Sequence, residues 1–355
     1  VRRIFIVILI GLALLAAGCA TQMNTQNAAI DGLFGDYSGN APGAAVAVVR
    51  NGTIVFERGY GMADQEAGVA MTASHNLRLA SMTKQFTATA IEILAERGRL
   101  RVDDPVTRWI SSLPAYAAGI TIRHLLTHTS GLVDYEDLIP KEQTGQISDQ
   151  DVLRYLEAED HTLFPPGSQY RYSNGGYVLL GLIVERASGE SLGEFFRREI
   201  FARAGMKSSV VMEPGVIIPM RSFGYAREGD QWVRRDQSIT SATRGDGAVY
   251  SSVIDLARWE DALRRATIVS PSTLRQAFTP ATQTDEPGTS YGFGWRIGSY
   301  AGQRAIWHTG ETSGFTNAIL RLPDAGLMVV VLTNRAGGDP LKLARQIADL
   351  ELTSH

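Results

Sequence analysis

Leu79-Ala80-Ser81-Met82-Thr83-Lys84 is the stretch around which this 355-residue chain is organised. A helical pattern follows it. From Ser81 to Arg97, apolar residues fall at Met82, Phe86, Ala90 and Ile93, and again at Ala88, Ile91, Leu94 and Ala95. They cover most of the circumference and predict a core helix, stopped at Gly98. Ser81 and Lys84 stand three residues apart, one turn along the same helix face. A serine hydroxyl becomes a nucleophile when a base takes its proton, and a neutral lysine amine can be that base. The N–H groups free at a helix start favour developing negative charge. Only four lysines occur, and only Lys84 has a serine three positions earlier. A chain so poor in lysine shows S-x-x-K by chance in roughly a quarter of cases, so the context has to carry the pair.

Two other stretches supply that context. Tyr172-Ser173-Asn174 precedes a strongly apolar helix predicted over Gly176 to Ala187. A phenol can relay a proton, and an amide can pin the lysine or hold a substrate carbonyl. The plainer alternative is a turn that caps the helix. Trp307-His308-Thr309-Gly310 ends a strand predicted over Arg304 to His308. Either it is a strand closing on a turn glycine, or a strand edge whose backbone groups line a cleft, with Gly310 letting a ligand come close. A second His-Thr stretch, at His128, precedes no strand and reads as structural, a buried histidine with its partners satisfied.

The rest of the chain arranges itself about these motifs. Gly43–Val49 and Thr53–Phe56 flank Asn51-Gly52 and read as a hairpin. Helices are predicted from Thr121, from Ser148 to Glu159, from Ser191, over Val253–Arg265, from Ser270 and over Lys342–Leu352. Val210 to Trp232 has no clear period and reads as loop with short strands at most. Strands return at Tyr291–Ile297, Arg304–His308, Phe315–Leu322 and Leu327–Leu332, the last apolar throughout like a sheet-centre strand. The expected fold is α+β, a three-layer sandwich: one antiparallel sheet flanked by helices, built from residues 31–100 and 242–355, with an inserted, mainly helical lobe over 101–241. A cleft between lobes is where a ligand site belongs.

Arg2 and Arg3 precede an apolar run, Ile4 to Ala17, too short for a membrane span and patterned like a secretory leader over residues 1–18. Cys19, the only cysteine, follows Leu15-Ala16-Ala17-Gly18. The arrangement resembles a bacterial lipoprotein signal with lipidation at Cys19 and a tether over 19–30. Ordinary cleavage into the periplasm is the alternative. Both export the chain. Losing Arg2 and Arg3 takes the formal charge from −3 to −5, which argues against a nucleic-acid partner. No metal-ligand spacing and no glycine-rich phosphate loop occurs.

Ser-x-x-Lys, Tyr-x-Asn and His-Thr-Gly, in this order, resemble the serine β-lactamase and penicillin-binding protein superfamily. The likeness is to its class C β-lactamase, D-alanyl-D-alanine carboxypeptidase, esterase and amidase branch. His124–Leu132 and Gly245–Ser252 resemble the same family. The resemblance implies a β-lactamase/transpeptidase-like fold, no cofactor, and a small-molecule or peptide substrate. It implies that Ser81 forms an acyl-enzyme, that Lys84 and Tyr172 share the proton traffic with the base left open, and that Asn174 orients Lys84 or substrate. His308, Thr309 and Gly310 would line the substrate. The backbone N–H groups of Ser81 and Glu311 would form the oxyanion hole. His308 stands where the family's β-lactamases carry lysine. A histidine is mostly neutral at pH 7, so esters, amides and D-amino-acid peptides are expected as substrates ahead of β-lactams. Class C-type β-lactam hydrolysis and a penicillin-binding sensor without turnover are the alternatives.

Overall fold

The computed structural model describes residues 25–353. Its frame is an eight-stranded, wholly antiparallel sheet: β1 (Ala44–Arg50), β2 (Thr53–Tyr60), β3 (Thr282–Gln283), β4 (Ser290–Tyr291), β5 (Arg296–Tyr300), β6 (Gln303–Thr312), β7 (Phe315–Leu322) and β8 (Leu327–Thr333). The spatial order is β3-β4-β5-β6-β7-β8-β1-β2, so the N-terminal hairpin joins the C-terminal strands through β1 and β8. There Val46 faces Val331 and Val48 faces Val329.

Both faces of this sheet are buried, which explains the unbroken apolar run of β8. Ala45, Ala47, Val49, Met328, Val330 and Leu332 point into one core. Ala44, Val46, Val48, Leu327, Val329 and Val331 point into the other. The second core is closed by Ala344, Ile347 and Ala348 of the last helix and by Ile30 and Phe34 near the start. The first core takes in α1 (Lys84–Glu96), α2 (Asn174–Ser188) and α3 (Val253–Arg265), while α4 (Pro340–Thr353) covers the opposite face. Helices on both sides of one antiparallel sheet match the expected fold class.

Three details depart from the sequence expectations. The leader and Cys19 lie outside the described residues, but residues 25–32 are helical where a tether was expected up to residue 30. Ile30 is fully buried and gives that segment a face to dock. The expected strand Tyr291–Ile297 is broken into β4 and β5, because Gly294 takes a φ of +76° and packs against the backbone of Lys84 and Gln85. The expected helix start at Ser81 is a 3-10 turn over Ala80–Thr83, with the α-helix beginning at Lys84. Helix starts elsewhere follow their caps: Thr121, Ser148, Ser173, Ser191, Ser252 and Ser270 each accept a first-turn N–H.

Candidate active site

The Ser81 turn is held from three directions. Leu79 N–H donates to Val249 O at 2.8 Å, and Val249 N–H donates to Thr83 Oγ1 at 3.1 Å. Asn317 of β7 donates from Nδ2 to Arg78 O at 2.8 Å. Between these ties Ala80 sits at φ +51°, a left-handed conformation that costs a non-glycine residue about 1–2 kcal/mol. Such strain persists only where the surroundings over-determine it. Here the fixed neighbours present Ser81 at the head of a buried helix.

Lys84 is fully buried, and its Nζ lies 3.0 Å from Ser81 Oγ, 2.8 Å from Asn174 Oδ1 and 3.1 Å from the Asp246 carbonyl oxygen. Asn174 Nδ2 donates to Glu136 Oε1 at 3.1 Å, which fixes which end of the amide faces the lysine. An amide oxygen and a backbone carbonyl can only accept. Ser81 is therefore the one of these three partners able to give Nζ a proton. The Tyr172 ring lies beneath the same nitrogen, 4.9 Å from centroid to Nζ.

Strand β6 supplies the opposite wall. Its partner β5 covers it only as far as Trp307, so from His308 to Thr312 the β5-side edge is uncovered. Gly310 is required there for a reason other than ligand access. A Cβ at this position would stand 2.0 Å from Leu79 O, so the glycine lets the strand lie on the backbone of the serine's own turn. The cavity in front of Ser81 is small, about 50 Å³, and is lined by Ala80, Ser81, Glu136, Asn174, Asp246 and Glu311 among others.

Known proteins with this arrangement can now be set beside it. The Beta-lactamase family profile matches residues 24–352. Penicillin-binding protein 4* of Bacillus subtilis is 32% identical over 306 residues, covering 82% of this chain and 67% of that protein. This chain belongs to the beta-lactamase family. D-aminopeptidase of Brucella canis is 30% identical over 330 residues, 89% of this chain and 60% of that protein. Among solved structures, D-amino acid amidase from Ochrobactrum anthropi, complexed with L-phenylalanine amide, superposes with a TM-score of 0.81 at 26% identity, covering 93% and 99% of the two chains. A penicillin-binding protein from Bacillus halodurans gives 0.79 at 28%, covering 92% and 98%. This beta-lactamase-family chain is thus a serine hydrolase, similar to penicillin-binding proteins and to D-aminopeptidase.

Within the beta-lactamase-family site, the motif residues are not equally placed. Ser81, Asn174 and Glu311 line the cavity, and Lys84 lies directly behind Ser81. His308 does not line it. It is 2% exposed, its Nε2 lies 2.9 Å from the Tyr291 hydroxyl, and its Nδ1 lies 2.6 Å from Thr309 O. A carbonyl only accepts, so Nδ1 carries the proton and Nε2 accepts from Tyr291. Burial first, and the Lys84 charge second, push the His308 imidazole down to about 3, so it is neutral at any ordinary pH. Thr309 and Gly310 shape the edge without lining the cavity. Two acidic residues have no place in the three motifs. Glu136 opens on the cleft, with its carboxyl raised above the usual range by desolvation and then by nearby Asp134. Asp246 is 7% exposed, and its Oδ1 has no hydrogen-bond partner among the described residues. The position of Asp246 in the Gly245–Ser252 segment was the only sequence signal for it. Glu136 lies in a 3-10 turn over Tyr135–Leu138, and no motif marked the residue itself.

Proposed function

We propose that this enzyme cleaves small amides or peptides whose acyl part is an amino acid with a free ammonium group, and that Lys84 is the base that activates Ser81. The observation that carries the reading is the hub at Lys84: two of its three partners can only accept, so Ser81 is the one partner able to pass Nζ a proton. Ser81 Oγ then attacks the carbonyl, and the C–O bond of the acyl-enzyme forms as the oxyanion turns to the N–H groups of Ser81 and Glu311. As the C–N bond breaks, Tyr172 gives its phenolic proton to the departing amine and takes the Ser81 proton from Lys84. Water then gives a proton to Lys84 and attacks the acyl carbonyl, and the ester C–O bond breaks as Ser81 regains its proton. Asn174, braced by Glu136, keeps Lys84 aimed.

Charge supports the substrate class. Glu136, Asp246 and Glu311 line the cavity together with Arg78, which is 2% exposed and gives its donors to Gly247 O, Gln237 Oε1 and Ser241 O. A substrate ammonium suits such walls; the carboxylate of a β-lactam does not. The names of the D-aminopeptidase and D-amino acid amidase relatives point to D-configured amino acids. The deciding assay compares D-phenylalanine amide, its N-acetyl derivative and a chromogenic cephalosporin on wild type and Ser81→Ala. Turnover should be highest for the free-amine amide and absent in Ser81→Ala. Faster turnover of the cephalosporin or of the acetylated amide overturns the substrate reading. The leader pattern and Cys19 support export with lipid attachment, which radiolabelled palmitate on wild type but not Cys19→Ser would bear out.

A further inference from the structure

We infer that His128 is the positioning residue for Tyr172, holding the phenol against Lys84 from the side away from the cavity. The inference rests on the reading of Tyr172 as the proton carrier. The residues before and after Tyr172 both give their backbone N–H to this one histidine. Arg171 N–H donates to His128 O at 2.9 Å, and Ser173 N–H donates to His128 Nδ1 at 3.1 Å. The imidazole also lies on the phenol ring, 4.2 Å between centroids at 32°. Backbone before, backbone after and ring face are all fixed by one side chain and its own carbonyl.

Three further facts separate this from ordinary core packing. His128 holds a φ of +57°, in the left-handed region that few non-glycine residues adopt. It is 1% exposed, yet its Nε2 has no hydrogen-bond partner among the described residues. Because Nδ1 is the acceptor for Ser173, Nε2 carries the proton, and a buried donor left unpaired is destabilising. Folding alone would favour a residue without that penalty. The job needs a ring face for Tyr172, an in-plane acceptor for Ser173 N–H, and no charge beside Lys84. Phenylalanine offers the first, asparagine the second, and neutral histidine all three. Tyr177 and Tyr291, at 5.1 and 4.6 Å, close the other sides of the ring, and burial next to Lys84 keeps it uncharged.

The test is a double-mutant cycle with Tyr172→Phe on turnover of D-phenylalanine amide, whose leaving amine needs the phenolic proton. His128→Asn and His128→Phe should each lower kcat about 10–100-fold with KM within about twofold. In the Tyr172→Phe background the same substitutions should add less than about twofold, since no phenolic proton remains to be positioned. His128→Asn keeps the acceptor and tolerates the left-handed backbone, so it serves if His128→Phe does not fold; melting temperature and near-ultraviolet circular dichroism report folding. An undiminished loss in the Tyr172→Phe background overturns the inference, because His128 then acts through something else. If Tyr172→Phe itself turns over like wild type, the reading of Tyr172 falls and takes the inference with it. That outcome is distinct from additivity.

Discussion

Gly310→Ala tests how tightly the strand edge and the nucleophile's turn are coupled. The added Cβ would meet Leu79 O at 2.0 Å and Ala80 Cβ at 3.3 Å, where ordinary contact begins near 3.4 Å. Leu79 O belongs to backbone pinned by Val249 and lying against β6, so no flexible side chain can yield. Turn and strand must part by well over an ångström. Ser81 and the Glu311 N–H sit on the two parting pieces. A misplacement of about 1 Å in a preorganised site costs roughly 100-fold in rate, or about 2.7 kcal/mol of barrier. Overpacking adds about 1–3 kcal/mol of destabilisation. The assay is burst kinetics with a p-nitrophenyl ester alongside thermal melting. The acylation rate should fall about 100-fold, with a melting-point loss of a few degrees. Gly247→Ala is the control: it lines the same cavity, but its Cβ would find nothing nearer than 3.9 Å, so acylation should stay within a few-fold of wild type. Wild-type acylation in Gly310→Ala would refute the coupling.

Three other outcomes follow from the same geometry. Glu136→Gln keeps the acceptor for Asn174 and removes the charge, so kcat/KM for a free-amine amide should drop about 10–100-fold while the N-acetyl amide is unaffected. Because the Glu136 carboxyl is raised, wild type should lose free-amine activity as pH falls through a range above that of an ordinary glutamate, and a pH–rate profile of Glu136→Gln should lack that limb. Asn174→Asp sets a carboxylate 2.8 Å from Lys84 Nζ and holds the amine charged, so kcat should fall at least about 100-fold in a single-turnover ester assay. Glu92, in the middle of α1, is buried with Oε1 unpartnered among the described residues, and desolvation raises its carboxyl well above the normal 4.5. A raised folded-state pKa gives stability that is present at low pH and lost as pH rises. Glu92→Gln should therefore raise the melting temperature, with a gain that grows between pH 5 and pH 8.

The sheet was legible because its strands obey simple patterns. Leu327–Leu332 reads as buried on both faces, and Asn51-Gly52 gives the hairpin away. β3, two residues long, was not legible, since a pair of residues has no period and its strand character comes only from lying beside β4. Ser81, Lys84 and Asn174 were legible as motifs, and the structure brings them within 3.0 Å of Lys84 Nζ. The purpose of Gly310 was misread, because the clash it avoids is with a carbonyl 231 residues earlier in sequence. The surroundings of His308 were equally hidden: Tyr291 reaches it from a separate strand. Glu136 and Asp246 are acidic residues in loops, indistinguishable in sequence from solvated ones. Only the fold turns them toward Ser81.

That division has a physical basis. Activating a serine needs atoms placed to within a few tenths of an ångström: the three-residue spacing puts Ser81 and Lys84 side by side, and the ties from Val249 and Asn317 hold the strained turn that aims them. Choosing among substrates needs only a field, which falls off slowly and can be built from residues scattered over several loops. Here the chain keeps the former and sets the latter acidic, with the imidazole that replaces the family's lysine buried and uncharged. Restoring a cation by His308→Lys would not rebuild a carboxylate site. The new ammonium would be buried at a 2%-exposed position, beside Lys84 and in contact with Tyr291 in place of the cavity. On the proposed reading, a change of specificity calls for changes at Glu136, Asp246 or Glu311, the acidic residues that line the cavity.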